Sequence, residues 1–237
     1  MIDLTDSRVL VVGGSSGIGL AVAQRADEAG AQVTIASRSQ EKLDAARAVL
    51  GPKVSSHSLD TADMAAIEAF FGSHPPFDHI VVSAAQTPYG PVRTLSLEDA
   101  RQAMESKFWG AYRIARAARI ADRGSLTFIS GYLAERPSGT SVLQGAINAA
   151  LEGLGRGLAL ELSPVRVNMV SPGLIDTPLW SKMSNEARQA MFDRVAASLP
   201  AKTIGQASDI ANAVLFLMTT PFATGSTVRV EGGGVIA

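Results

Sequence analysis

The stretch Val9-Leu-Val-Val-Gly-Gly-Ser-Ser-Gly-Ile-Gly19 constrains this chain more than any other. An apolar run stops at glycine and restarts at helical spacing, which predicts a buried strand, a tight turn and a helix start. Gly13 ends the strand, Gly17 lets a backbone approach a bulky anion, and Gly19 lets the helix lie close on the sheet. Exposed N–H groups and the helix dipole favour phosphate at such a turn. The expected ligand is a dinucleotide pyrophosphate, held by Gly13, Ser15, Ser16, Gly17, Ile18 and Gly19. Any buried strand must also turn somewhere, so the residues that follow decide whether this turn binds a ligand.

Those residues alternate between short apolar runs and helix-length segments. A helix over 17–30 is closed by Gly30, and a strand follows at Val33–Ala36. Further strands are predicted at Val54–Leu59, His79–Ala84, Ser125–Ile129, Val165–Val170 and Thr227–Val230. Helices are predicted over 40–50, 61–71, 97–118, 141–162 and 208–219. This alternation implies crossover units and a parallel sheet covered on both faces. The fold class expected is α/β, a three-layer Rossmann-type fold with a single parallel sheet of about seven strands. No linker, repeat or low-complexity tract interrupts it, so residues 1–237 are read as a single domain.

Composition excludes several functions. Net charge is −1 with Lys and Arg scattered, which leaves no electrostatic footprint for nucleic acid or anionic lipid. There is no cysteine, hence no disulfide or thiolate chemistry. His57, His74 and His79 lack metal-ligand spacing and are read as loop and surface residues, with no metal expected. No apolar run reaches the length of a membrane span, and the protein is expected to be soluble and cytoplasmic.

Ligands of such a sheet bind at the carboxyl ends of its strands. After the second strand, Ser37-Arg38 stands where a carboxylate would take ribose hydroxyls. A hydroxyl and a guanidinium suit a 2′-phosphate instead, so NADP(H) is expected in preference to NAD(H). Asp60-Thr61 at the third strand end is either an adenine contact or a helix cap. The helix over 141–162 carries Gly145, Gly153, Gly155 and Gly157, which lower its propensity unless tertiary contact offsets them.

Val12-Gly-Gly-Ser-Ser-Gly-Ile-Gly19, Ser37-Arg38, Leu59-Asp60, Val167-Asn168, Ser171-Pro-Gly173, Thr177 and Val230-Glu-Gly-Gly233 together resemble the short-chain dehydrogenases/reductases, in that order and over nearly the whole length. The resemblance implies hydride transfer to or from NAD(P)(H), a small-molecule substrate, and a homodimer or homotetramer with helices at the contact. It implies that Ser83, Ala84 and Ala85 line the cofactor, that Pro172, Gly173, Ile175 and Thr177 hold its nicotinamide end, and that 179–197 is a mobile substrate lid.

The family's catalytic tetrad is where the chain departs. Its positions carry Lys107 for Asn, Gly131 for Ser, Gln144 for Tyr and Asn148 for Lys. Gln144 cannot ionise, yet it can donate an amide hydrogen bond, and Asn148 can bond ribose hydroxyls. Lys107 is the candidate proton donor or electrostatic clamp, because partial burial lowers an amine toward a useful acid. Tyr132 is a second candidate phenol, although on an extended chain it would point away from the position of Gly131. Ser130 should likewise point away, while Tyr89 and Trp180 belong either to a substrate pocket or to the core. Two functions are consistent with this pattern: an NADP(H)-dependent oxidoreductase acting on a carbonyl, imine or activated alkene with a non-standard acid, or a catalytically silent NADP(H)-binding sensor or scaffold. A non-redox isomerase or dehydratase finds no acid–base pair to support it.

Overall fold

A strand buried on both faces must be apolar throughout, and residues 9–12 are the clearest case. The computed structural model describes residues 2–237. In it β1 (Arg8–Val12) sends Val9 and Val11 into one core and Leu10 and Val12 into the other, all four essentially without exposure. Successive side chains of a strand point to opposite faces, so two helical layers are specified by five residues.

The remaining frame is α1 (Gly17–Glu28), β2 (Gln32–Ser37), α2 (Gln40–Leu50), β3 (Ser55–Ser58), α3 (Met64–Ser73) and β4 (Phe77–Val82). Then come α4 (Leu97–Met104), α5 (Gly110–Ala117), β5 (Ile120–Ile129), α6 (Val142–Glu161) and β6 (Arg166–Pro172). The chain ends with β7 (Ile175–Asp176), α7 (Asn185–Ser198), β8 (Gly205–Gln206), α8 (Ala207–Thr219) and β9 (Thr227–Val230). Seven strands form one sheet in the order β3-β2-β1-β4-β5-β6-β9, every pairing parallel. One core holds Val22, Ala23 and Ala26 of α1 and Ile210, Val214 and Leu215 of α8; the other holds Ile67 and Phe70 of α3, Ile114 of α5 and Leu151 of α6. The expected three-layer Rossmann-type architecture is therefore present.

Four details differ from the sequence expectation, each for a physical reason. The helix expected over 97–118 is interrupted by a π-helical turn at Glu105–Trp109, which splits it into α4 and α5. Such turns insert a residue into the hydrogen-bond ladder and leave no periodicity signal. β5 begins at Ile120 because Ile120 pairs with Phe77 before the apolar run starts. Asp60 does not cap α3: Asp63 does, accepting from the Ala66 N–H at 3.0 Å, while Asp60 closes the preceding turn by accepting from the Ala62 N–H.

His79, finally, is not a surface residue. It lies in β4 with 9% exposure, its Nδ1 sharing a hydrogen bond of 2.8 Å with the Ser125 hydroxyl. Burial first, and the Arg166 charge second, push the imidazole down to about 4 despite Asp78. It is a neutral polar residue within the sheet.

The Val167-Asn168 pair has a structural role. Asn168 Nδ2 donates to the Ala223 carbonyl at 2.8 Å and its Oδ1 accepts from the Ser226 N–H at 3.1 Å, which joins β6 to the turn leading into β9. No helix among the described residues is long and apolar enough to cross a membrane.

Candidate active site at the carboxyl edge of the sheet

The ends of β1, β2 and β4 meet at the glycine turn. The Gly13 N–H donates to the Ala36 carbonyl at 2.7 Å, and the Ser83 N–H donates to the Val12 carbonyl at 2.8 Å. Gly13 has φ +87°, and a Cβ there would lie 2.5 Å from the Ala84 nitrogen. Backbone conformation and backbone proximity thus both demand glycine. A Cβ on Gly19 would run into the Gly13 carbonyl oxygen, so its absence lets α1 rise directly from the turn.

The start of α1 differs from most other helices of the chain. Ser39, Asp63, Ser96 and Ser184 each accept a first-turn N–H of the helix they precede. Ser16 makes no such bond to α1, whose first turn carries no acidic residue. The leading N–H groups and the positive end of the dipole are therefore left for an external anion. Thr177 stands over this turn, its Cβ 3.4 Å from where a Gly17 Cβ would be. A pyrophosphate fits this cradle, since it needs small residues, free N–H groups and a hydroxyl at its mouth.

Beside the cradle, Ser15 Oγ donates to Ser37 Oγ at 2.9 Å and Arg38 Nη2 donates to Gln86 Oε1 at 2.7 Å. Two hydroxyls and a guanidinium are thus gathered at the end of β2 without a carboxylate among them. Asp60 is exposed nearby, whereas Thr61 packs on α5, its Oγ1 2.9 Å from where a Gly110 Cβ would lie. Ser83, Ala84 and Ala85 follow β4, and Gly173 follows β6 with its N–H donating to the Val230 carbonyl at 3.0 Å. Ile175 is buried in the core and Ile18 packs partly against it.

Of the residues at 107, 131, 144 and 148, Lys107 and Asn148 join Ser130 in one hydrogen-bonded group. Lys107, in the middle of the π-turn, donates from Nζ to the Ser130 carbonyl at 2.7 Å and to Asn148 Oδ1 at 2.6 Å. Burial lowers its amine from the ordinary 10.5 to about 8, while the Glu152 charge acts in the opposite direction. Asn148 is 4% exposed, so its amide oxygen serves Lys107 within the protein. A Cβ on Gly131 would sit 2.7 Å from Asn148 Nδ2, which makes the glycine and the asparagine mutually dependent.

Gln144 Nε2 donates to the Thr87 carbonyl at 2.9 Å, binding α6 to the segment after β4. One amide N–H and the amide oxygen remain. Tyr132 lies on a 3-10 turn, Tyr132–Ala134, so the alternation of an extended chain does not apply to it. It takes no part in the hydrogen bonds joining Lys107, Ser130 and Asn148. Ser130 Oγ donates to Glu152 Oε1 of α6 at 2.8 Å, and a Cβ on Gly131 would also face α6, so the expected divergence of the two positions is not seen. Tyr89 is exposed rather than packed in the core, and Trp180 Nε1 donates to the Ile175 carbonyl at 3.0 Å.

Sequence reasoning passed over Glu152, Gln86, Ser106 and Thr87. Glu152 follows Asn148 by four residues and shares its helical face, a spacing visible in the sequence. Ser106 Oγ accepts from the Gln86 N–H at 2.8 Å, a contact across 20 residues that leaves no local signal.

With this geometry in place, comparison with known proteins is informative. A family profile described as Enoyl-(Acyl carrier protein) reductase matches residues 12–234. The short-chain dehydrogenase/reductase ucsE of Acremonium sp is 32% identical over 97% of this chain and 95% of its own length. A small-chain dehydrogenase solved in complex with NADPH is 32% identical with a TM-score of 0.85, covering 98% of this chain and all of that one. A short chain oxidoreductase from Pseudomonas aeruginosa PAO1, solved with NADPH and described as containing an atypical catalytic center, is 27% identical with a TM-score of 0.92, covering 98% of each chain.

The crowding of Gly131 against Asn148 is directly testable. Gly131→Ser is expected to lower unfolding free energy by about 1–3 kcal/mol, the usual penalty for overfilling a packed site. Combined with Asn148→Ala it should destabilise by less than the sum of the two single changes. Denaturant titration of the four proteins measures the coupling, and strict additivity overturns the contact.

Proposed function

This chain belongs to the short-chain dehydrogenase/reductase family, and we propose that it is an NADP(H)-dependent oxidoreductase in which Lys107 replaces the family's tyrosine as proton donor. The observation that carries the reading is the Lys107 amine, held by the Ser130 carbonyl and Asn148 at the carboxyl end of β5 and lowered to about 8. A general acid works best when its pKa lies near the operating pH. A lysine enclosed without purpose would be disfavoured by desolvation.

Cofactor binding falls to Gly13, Ser15, Ser16, Gly17, Ile18 and Gly19 at the pyrophosphate, with Thr177 above them. Ser37 and Arg38 take the 2′-phosphate, for which Arg38 exchanges its bond to Gln86. Asp60 and Thr61 border the adenine, and Ser83, Ala84, Ala85, Pro172, Gly173 and Ile175 offer backbone to the remainder. When bound, the nicotinamide supplies or accepts the hydride. Lys107 gives a proton to the oxygen of a carbonyl substrate, or to the carbanion of an activated alkene, and is left as a neutral amine for solvent to reprotonate. Gln144 orients the substrate with its free amide groups, Asn148 fixes Lys107, and Tyr132 stands at the rim. Residues 179–197, a 3-10 turn followed by most of α7, act as the substrate lid.

An iminium substrate already carries its proton, which separates the substrate classes. Lys107→Met should reduce turnover of ketones or enones by ~10²–10⁴-fold, the usual worth of general acid catalysis, while sparing cyclic iminium reduction. The wild-type rate of carbonyl reduction should fall as pH rises through about 8, since the protonated amine is the donor. Unchanged carbonyl turnover in Lys107→Met overturns the assignment. Tight NADPH binding with no turnover across aldehydes, ketones, imines and enones favours instead the catalytically silent sensor.

Cofactor preference has its own test. Arg38→Ala should weaken NADPH binding by ~10–100-fold, as expected for loss of charged hydrogen bonds, and leave NADH nearly unaffected. Equal effects on both cofactors, measured by fluorescence titration, remove Arg38 from the 2′-phosphate.

The assembly proposed is a homodimer or homotetramer joined through α5 and α6. Gly145 and Gly155 are explained within the chain, by the Leu133 carbonyl and by Met169, but nothing lies within 4 Å of a Cβ at Gly157. Tyr112 and Leu160 are exposed on the same pair of helices, and Trp109 on the π-turn just before α5. Sedimentation at micromolar concentration should show a dimer or tetramer, and a monomer refutes the contact.

A further inference from the structure

Glu152 is a carboxylate far from water, one helical turn after Asn148 on α6. It is 6% exposed and its Oε1 accepts from the Ser130 hydroxyl at 2.8 Å. The spacing of four places Asn148 and Glu152 on one helix face, and both reach the end of β5. Ser130 is therefore held from two sides: its hydroxyl donates to Glu152 and its carbonyl accepts from Lys107 at 2.7 Å. A single serine separates a buried carboxylate from a partly buried ammonium.

Neither charge is stable alone in such a place. A carboxylate with one neutral hydroxyl donor is costly to bury unless a cation shares its enclosure, and the same holds for an ammonium held by two amide oxygens. The other charged neighbour on the π-turn itself, Glu105, forms an ion pair with Arg113. From α6 the facing charge is Glu152, from the end of β5 the contact is the neutral Ser130, and the next titratable side chain there is the Tyr132 phenol.

We propose that Glu152 is the counter-charge of Lys107, a positioning residue that keeps the amine protonated and, through Ser130, anchors the carbonyl that aims it. Its consequence for the rate rests on the reading of Lys107 as the acid. Burial drives the amine toward neutrality and the carboxylate field opposes it. Without that field a larger share of the donor would be deprotonated near neutral pH, before any substrate arrived.

The distinction from a purely structural tie is sharp, because Glu152→Gln can still accept the Ser130 hydroxyl through its amide oxygen. Protein labelled biosynthetically with 13Cε-lysine, free of cofactor, would be titrated by NMR, the Lys107 signal being the one absent from Lys107→Met. In Glu152→Gln the Lys107 midpoint should fall by about one pH unit, the order of effect of an opposite charge nearby. The pH at which carbonyl reduction declines should fall with it, while NADPH affinity is retained. An unmoved midpoint overturns the proposal. A midpoint that moves while the rate profile stays refutes Lys107 as the acid and supports the counter-charge.

Stability supplies a second route should Glu152→Gln fold poorly. In Lys107→Met the carboxylate has lost its cation, so adding Glu152→Gln should raise the denaturation midpoint of that variant. A further loss as large as in the wild-type background overturns the pairing.

Discussion

The parallel ladder around β1 is the constraint on which the rest depends. β1 is paired on both sides, to β2 and β4, and its backbone hydrogen bonds continue past its end into the turn, through the Gly13 N–H and the Val12 carbonyl. Strands so paired lie about 4.8 Å apart, so whatever follows them is forced into one small region. Here that is the glycine turn, Ser37-Arg38 and Ser83-Ala84. Glycine is required at Gly13 because the neighbouring strand end occupies the space of a side chain. The phosphate cradle is thus a by-product of strand spacing, refined by a helix that is left uncapped.

The chemistry at the other half of the edge depends on desolvation. Lys107 on the π-turn brings a cation to the strand end. Lys107 has two neutral acceptors and a carboxylate one residue away, an enclosure in which a modest change of field alters the protonation state. The residues at 107, 131 and 148 form one unit: the Asn148 amide fills the space a side chain at 131 would need, and it holds Lys107. Gln144, joined to Thr87, has become a brace between α6 and the segment after β4.

Much of this was legible in sequence, and the exceptions share a cause. Strand and helix order followed from apolar runs of strand and helix length, and the cradle from the spacing of Gly13, Gly17 and Gly19. The π-turn was not legible, because one inserted residue shifts a hydrogen-bond ladder without changing composition. His79 was misjudged because a polar residue in a short apolar run reads as an edge until its partner, Ser125, is known to be 46 residues away. The sequence shows that Asp60 is near a helix but not where the first turn begins, so it cannot distinguish a cap at Asp60 from one at Asp63.

The sequence by itself determined the layers, the strand count and the glycine turn at the end of β1. These depend on local periodicity and on which residue types tolerate a given backbone. Only the tertiary structure decided that Lys107, Ser130, Asn148 and Glu152 form one hydrogen-bonded group, and that Arg38 meets Gln86. Those contacts join segments 22 to 48 residues apart, and their energetics come from enclosure, which no local pattern encodes.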